Sequence, residues 1–187
     1  MEEYYEIEYR DLVYKETFEV AVFESCTFIN CSMDSLKLGE SRFVDCRFEE
    51  CDLSNCNIHG TAFRNVDFLN CKMMGLRFDT CNDFGLSLDI RNSVLDYCVF
   101  AGVDLKKSRI DGSSLKEVDF TETNLQKMEV TNCKLSGATF DRSNLNEIDL
   151  RGSTEIRINP QNNQINKMKI SQTQLIGLLS DYQLIVD

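Results

Sequence analysis

Residues 41–72 read SRFVD CRFEE CDLSN CNIHG TAFRN VDFLN CK, and each complete group of five carries a large apolar residue third: Phe43, Phe48, Leu53, Ile58, Phe63 and Phe68. Two places earlier stands a smaller residue: Ser41, Cys46, Cys51, Cys56, Thr61 and Val66. A period of five matches neither the helical repeat of about 3.6 nor the strand repeat of about 2. Short self-similarity at a fixed period marks a solenoid, in which each turn is completed only by its neighbours.

Outward from this stretch the register runs back through Leu38, Met33, Phe28 and Phe23 to Phe18, and forward through Met73 and Phe78. The next centre is Asp83, a carboxylate that burial would penalise. Every fifth residue from Ile90 to Leu150 is apolar again, in a frame displaced by two, so an insertion of two lies within residues 83–90. Like falls over like at twenty: Phe23, Phe43, Phe63; Phe28, Phe48, Phe68; and, across the slip, Phe78, Phe100, Phe120, Phe140. That spacing implies four sides of five residues, with rings piled one strand spacing apart, about 4.8 Å. Eleven of the twelve phenylalanines are centres. The twelfth, Phe84, is expected to fill the place Asp83 vacates through a local bulge.

The expected fold is therefore an all-β solenoid, a quadrilateral β-helix whose backbone hydrogen bonds run between coils. Twenty-eight centres at four per turn give about seven coils, a rod of roughly 34 Å at ~4.8 Å per coil. Asp or Asn often precedes the centre, as at Asp52, Asn57, Asp119 and Asn144, where a short polar side chain bonds nearby backbone at a corner.

The flanks read differently. Residues 1–16, with Tyr4, Tyr5, Ile7 and Tyr9, alternate like a short strand and suggest an N-terminal cap on the repeat of residues 17–150. In residues 151–187 the register lapses, Asn159 to Gln164 read as a turn, and Ile165, Met168 and Ile170 as extended chain. Ser171 with Gln174 forms a capping-box pattern that opens a short C-terminal helix. Leu184, Ile185 and Val186 suggest a last strand. The helix carries more apolar surface than one coil end needs. Leu175, Ile176, Leu178, Leu179, Tyr182 and Leu184 are then either a monomer's cap or, as the surplus favours, the interface of a tail-to-tail homodimer about 70 Å long.

Chemistry is sparse. All nine cysteines occupy the small inward slot, no CxxC occurs, and the one histidine, His59, flanks a centre. Zinc requires converging ligands, whereas this spacing spreads packed, reduced thiols around a core, so neither metal nor cofactor is expected. A convex rod without a nucleophile–base pair or Gly-rich phosphate loop does not read as an enzyme. No apolar run approaches the roughly 20 residues that span a bilayer, and the acidic N-terminus lacks a signal's apolar core; the expectation is a cytoplasmic protein without membrane contact.

The formal net charge is −11. Up to residue 93 there are 18 acids and 9 bases, a net of −9; beyond it 13 and 11, a net of −2. Duplex DNA of about 34 Å carries about 20 charges, so only the first half approaches that density. No basic patch interleaved with aromatics appears, and direct nucleic-acid binding is not expected.

The groups CDLSN, VDFLN, VDLKK, VDFTE, TNLQK, SNLNE and IDLRG resemble the pentapeptide-repeat proteins, over about Phe18 to Leu150. The tail STEIRINPQNNQINKMKISQTQLIGLLSDYQLIVD resembles the subgroup containing the Qnr proteins, mycobacterial MfpA and AlbG. That resemblance implies a right-handed quadrilateral β-helix dimerised through its C-terminal helix, a DNA mimic that binds DNA gyrase or topoisomerase IV and modulates it or protects it from quinolones or toxins. The long loops of many Qnr proteins are missing; only the two-residue insertion is present. The alternative is an interaction scaffold with another partner. A local partner-binding feature is expected at the interruption, on Asn82, Asp83, Phe84, Gly85, Asp89, Arg91 and Asn92, unless the bulge merely absorbs two residues.

Overall fold

The computed structural model describes residues 1–13 and 19–182; Phe18 and the segment Leu184–Val186 lie outside the described residues. Among the described residues eleven short strands build two parallel sheets: β1 (Glu2–Tyr5), β3 (Ala21–Glu24), β5 (Arg42–Val44) and β7 (Ala62–Arg64) in one. The other holds β2 (Glu8–Arg10), β4 (Thr27–Ile29), β6 (Arg47–Glu49), β8 (Val66–Leu69), β9 (Leu88–Arg91), β10 (Arg109–Asp111) and β11 (Glu129–Thr131). The remaining two sides are columns of single bridges, such as Ser32 to Asp52 to Lys72 and Asp119 to Thr139. Registers of twenty, as in Phe28 with Phe48 and Phe48 with Phe68, become twenty-two between Phe68 and Ile90. Phe28, Phe48, Phe68, Ile90, Ile110, Val130 and Leu150 mark seven levels of one column, six turns from first to last.

The ring columns stand as the spacing predicts. Phe23, Phe43 and Phe63 stack at 5.1 and 5.5 Å between centroids, and Phe28, Phe48 and Phe68 at 4.6 and 5.0 Å. Phe78, Phe100, Phe120 and Phe140 follow at 4.5, 5.4 and 5.2 Å.

Two corner rules connect residue type to this geometry. Where Asp or Asn precedes the centre, its Oδ1 commonly accepts the amide two residues on: Ser54 on Asp52, His59 on Asn57, Thr121 on Asp119, Asn146 on Asn144. The next corner residue then adopts a left-handed backbone, as at Asn55 (φ 56°) and Glu122 (φ 57°). Second, the small slot supplies a donor as well as space. Thr61, Thr123, Ser143 and Ser153 donate their hydroxyls to carbonyls twenty-three residues back, on Leu38, Phe100, Phe120 and Val130, at 2.6–3.0 Å. Cysteine substitutes with its thiol, Cys56 reaching Met33 O at 2.9 Å and Cys46 reaching Phe23 O at 3.3 Å. The thiols are therefore weak hydrogen-bond donors between coils in addition to small apolar filling.

A prediction follows for Ser143, which is fully buried. Phe120 O also accepts the Thr123 amide at 3.1 Å, so Ser143→Ala removes one of two bonds and should cost about 1 kcal/mol. Ser143→Cys, keeping a donor, should cost clearly less; equal losses in chemical denaturation would make volume, not the bond, the cause.

Three expectations are corrected. Tyr4 and Tyr9 do hold the register: they stack on Phe23 at 5.2 Å and Phe28 at 4.8 Å, nineteen residues ahead of them, so one residue is missing between Val13 and Ala21. The register also returns near the end, with Asn144 bridged to Gln164 and Asp149 to Lys169. Its lapse is confined to an excursion around Glu155 to Asn163. Finally, Phe84 does not enter the core; it is 75% exposed, and Leu86, at 3%, is the apolar residue the interruption returns to it. Asn82 Oδ1 holds the Phe84 amide and Leu86 N–H bonds Asp83 O, closing a tight turn through Gly85 (φ 77°) that carries the ring outward.

The far end is closed by a 3-10 turn, Gln172–Gln174, the four-residue helix α1 (Leu175–Leu178) and a second turn, Ser180–Tyr182. Gln174 accepts the Ser171 amide at 2.6 Å, completing the expected cap pattern. Its amide nitrogen, buried, donates to the carbonyls of Leu150 and Ser153. One side chain thus caps the helix and satisfies the last coil.

Candidate partner-binding surfaces

The residues expected at the interruption fall on two adjacent sides. Asn82, Asp83, Phe84 and Gly85 are exposed on the turn, and the Arg64 guanidinium lies 5.2 Å from the Phe84 ring centroid while its Nε donates to Phe84 O at 3.3 Å. Asp89 and Arg91 lie on β9, round the corner, with Asn92 at the corner after it. Arg91 spans coils, 3.3 Å from Asp89 and 3.5 Å from Asp67. The structure brings the first four together as a protruding knob and separates them from the other three.

At the C-terminal end, Leu175 (50%), Ile176 (61%), Leu179 (43%) and Tyr182 (51%) are exposed, whereas Leu178 turns onto the solenoid core. Leu184 lies outside the described residues. The five described residues of the expected interface are therefore divided between two jobs, Leu178 covering the last coil and the other four facing outward.

Negative charge is partly matched in place. Down the side built from β2, β4, β6 and β8 to β11, Arg47 pairs with Glu49, Arg91 with Asp67 and Asp89, Arg109 with Glu129, and Arg151 and Lys169 with Asp149. Hydrogen bonds from Arg151 hold the largely buried Asp149 carboxyl below its usual range. The exposed pairs among these stabilise little, but they set basic groups among the carboxylates of this side. Among the left-handed corner residues, the first coils contribute Glu6, Asp11, Glu40, Asp45 and Glu50, while later ones mix Glu117, Glu122 and Glu147 with Lys127, Arg142 and Lys167. Five of the first half's 18 acids thus stand on the rod's edges, with no base among the corner residues there.

Open hollows occur among the described residues. One of about 400 Å³ runs along a corner past Asp11, Asn30, Glu50, Asp52, Asn70 and Lys72; one of about 150 Å³ lies under the knob beside Asp83, Leu86, Asp104 and Lys106. Cys31, Ser32 and Cys51 also line the first, and among the described residues no hydrogen bond joins their side chains to a carboxylate or lysine. Burial pushes the thiols of Cys46, Cys56, Cys81 and Cys98 up to about 12, which keeps them protonated at neutral pH. Among the described residues no group of His, Cys, Asp and Glu is arranged to hold a metal ion, and no helix is long and apolar enough to cross a membrane.

Comparison with known proteins agrees with this architecture. A model of the pentapeptide repeat region matches residues 21–89, and the model of the eight-copy pentapeptide repeats matches residues 89–121, 98–137 and 113–152. No curated protein sequence matches the chain. Among solved structures, two trypsin-treated forms of QnrB1, described as a plasmid-mediated fluoroquinolone resistance protein, are each 19% identical. One has a TM-score of 0.50 over 98% of this chain and 99% of that one; the other has 0.49 over 99% of both. HetL, a pentapeptide repeat protein involved in heterocyst differentiation regulation from the cyanobacterium Nostoc sp. strain PCC 7120, is 14% identical. Its TM-score is 0.48, over 90% of this chain and 84% of that one.

Proposed function

Because this chain belongs to the pentapeptide-repeat proteins, matched from residue 21 to residue 152, we propose that it is a binding rod without catalysis whose partner is a type II topoisomerase, DNA gyrase first. In this reading it lies where duplex DNA would lie on the enzyme, modulating it or shielding it from quinolones or gyrase-poisoning toxins. The observation that carries the reading is the four-sided rod itself, with five carboxylates and no base at the corners of its first described coils. Shape plus negative potential is what a site for DNA selects. Likeness in the tail sequence to the Qnr, MfpA and AlbG subgroup supplies the choice of partner, and that partner places the protein in the cytoplasm. Direct nucleic-acid binding is not part of the proposal.

The second reading, a scaffold for a different protein, is favoured by the ion pairs that set basic groups among the carboxylates of one side. Either partner would be met by a homodimer joined through Leu175, Ile176, Leu179 and Tyr182, since large apolar side chains so exposed on α1 and the turn that follows it are seldom left to water.

Purified protein at micromolar concentration should change supercoiling by gyrase, or the yield of quinolone-induced cleavage, in a dose-dependent way. If neither changes, the topoisomerase reading fails and the scaffold reading stands. Ile176→Glu should halve the mass measured by light scattering without unfolding the rod, and weaken any effect on gyrase. An unchanged mass would remove the dimer.

A further inference from the structure

The two ends of the rod are finished differently. The last coil is roofed by α1 and plugged by Gln174. At the first coil, β1 has β3 as its one ladder partner among the described residues, and β2 has β4. We infer that the outward edge of this first described coil is a strand-addition site for a basic, extended peptide segment.

The backbone defines what is on offer. In coils that follow another, the amide before each centre donates to the slot carbonyl of the coil before it: Arg47 to Cys26 O, Asp52 to Cys31 O, Ala62 to Ser41 O, Asp67 to Cys46 O. The same positions in the first coil are Glu3 and Glu8, where the described chain has no preceding coil to receive them. In later coils the carbonyl after the centre accepts from the coil before, as Glu24 O does from Glu6 and Ile29 O from Asp11. Its first-coil counterparts, on Tyr5 and Arg10, likewise face outward. Such a row of donors and acceptors is what an added strand pairs with.

The side chains select the occupant. Residues 1–13 hold five carboxylates, Glu2, Glu3, Glu6, Glu8 and Asp11, against one guanidinium, Arg10, and all these side chains are exposed. Apolar surface lies among them, with Ile7 37%, Leu12 38% and Val13 64% exposed. Arg10 pairs with Glu8 at 3.0 Å, which leaves an excess of four carboxylates; a second copy docking end to end would oppose that excess with its own, which disfavours stacking of this chain on itself. A segment alternating basic and apolar residues meets both the charge and the apolar rim.

The test uses the whole protein and three labelled ten-residue probes: one alternating lysine with valine or threonine, its fully N-methylated analogue, and a version with glutamate for lysine. Fluorescence anisotropy should show the basic probe binding, the methylated one at least about tenfold weaker, and the acidic one not at all. Hydrogen exchange at the Glu3 and Glu8 amides should slow only with the first probe. The doubly substituted Glu3→Lys, Glu8→Lys protein, altered at exposed side chains, should lose the basic probe by at least about tenfold. Equal binding of the methylated probe would reduce the interaction to charge alone and overturn the inference, as would no binding of the basic probe. Protection of Glu3 and Glu8 that rises with protein concentration alone would overturn it too, by making a second copy the occupant.

Discussion

Replacing Phe120 by alanine is expected to destabilise the rod by about 3–5 kcal/mol, which for a chain of this size lowers the melting temperature by roughly 6–20 °C. The ring is fully buried and lies 5.4 Å from Phe100 and 5.2 Å from Phe140. In an ordinary core, neighbours relax into the space a truncation leaves. Here the coils above and below are held at fixed spacing by bonds such as Phe120 N to Thr139 O (2.9 Å) and Phe100 N to Asp119 O (2.8 Å). The rings cannot close the gap without breaking that ladder, so the loss should fall toward the upper end of the range. Phe84→Ala, at a ring 75% exposed, should cost under about 0.5 kcal/mol. Comparable losses at both sites, measured by thermal or urea unfolding, would mean the columns do not hold the fold.

The second large effect is expected at Gly177. Alanine is the better helix former by roughly 1 kcal/mol, so propensity alone predicts stabilisation. Close approach reverses the sign. A Cβ at Gly177 would stand 1.9 Å from the backbone oxygen of Ile156, and Gly177 O accepts the Ile158 amide at 3.2 Å. The obstacle is backbone rather than a movable side chain, so α1 must lift from the coil end. That breaks the Ile158 bond and withdraws Gln174 from Leu150 and Ser153. Gly177→Ala should therefore cost about 3 kcal/mol and open the Ile158 amide to fast exchange. A rise in melting temperature would show that the helix does not lie on the coil end as described.

The repeat was legible in the sequence because the signal is dense: a large centre every fifth residue leaves one way to stack Phe78, Phe100, Phe120 and Phe140. The insertion of two within residues 83–90 was legible as well; what escaped were the one-residue loss near the start, the return of the register near the end and the path of the chain through the insertion. The nineteen-residue step from Tyr9 to Phe28 hid the first coil, although Tyr4 and Tyr9 are themselves five apart. Ile165 and Ile170 stand twenty after Leu145 and Leu150, a signal present but masked by the excursion between them. At the interruption, hydrophobicity suggested Phe84. The turn chemistry of Asn82 and Gly85, with Arg64 waiting outside, sent that ring out and delivered Leu86 instead. The candidate surfaces were less readable still. Spacing says which residues face out, but the split of Asp89 and Arg91 from the knob, and their pairing with Asp67, depend on where the corner falls.

The ladder that ties each lap only to its neighbours also sets how the molecule would give way under tension. Stretched between its termini, it should not rupture all at once but unreel, each lap of twenty residues paying out roughly 70 Å of thread. The lap through Asp83 to Leu88 holds two residues more and should yield a step longer by about 7 Å. An extension trace would then carry a ruler printed by the chain, with one division wider than the rest.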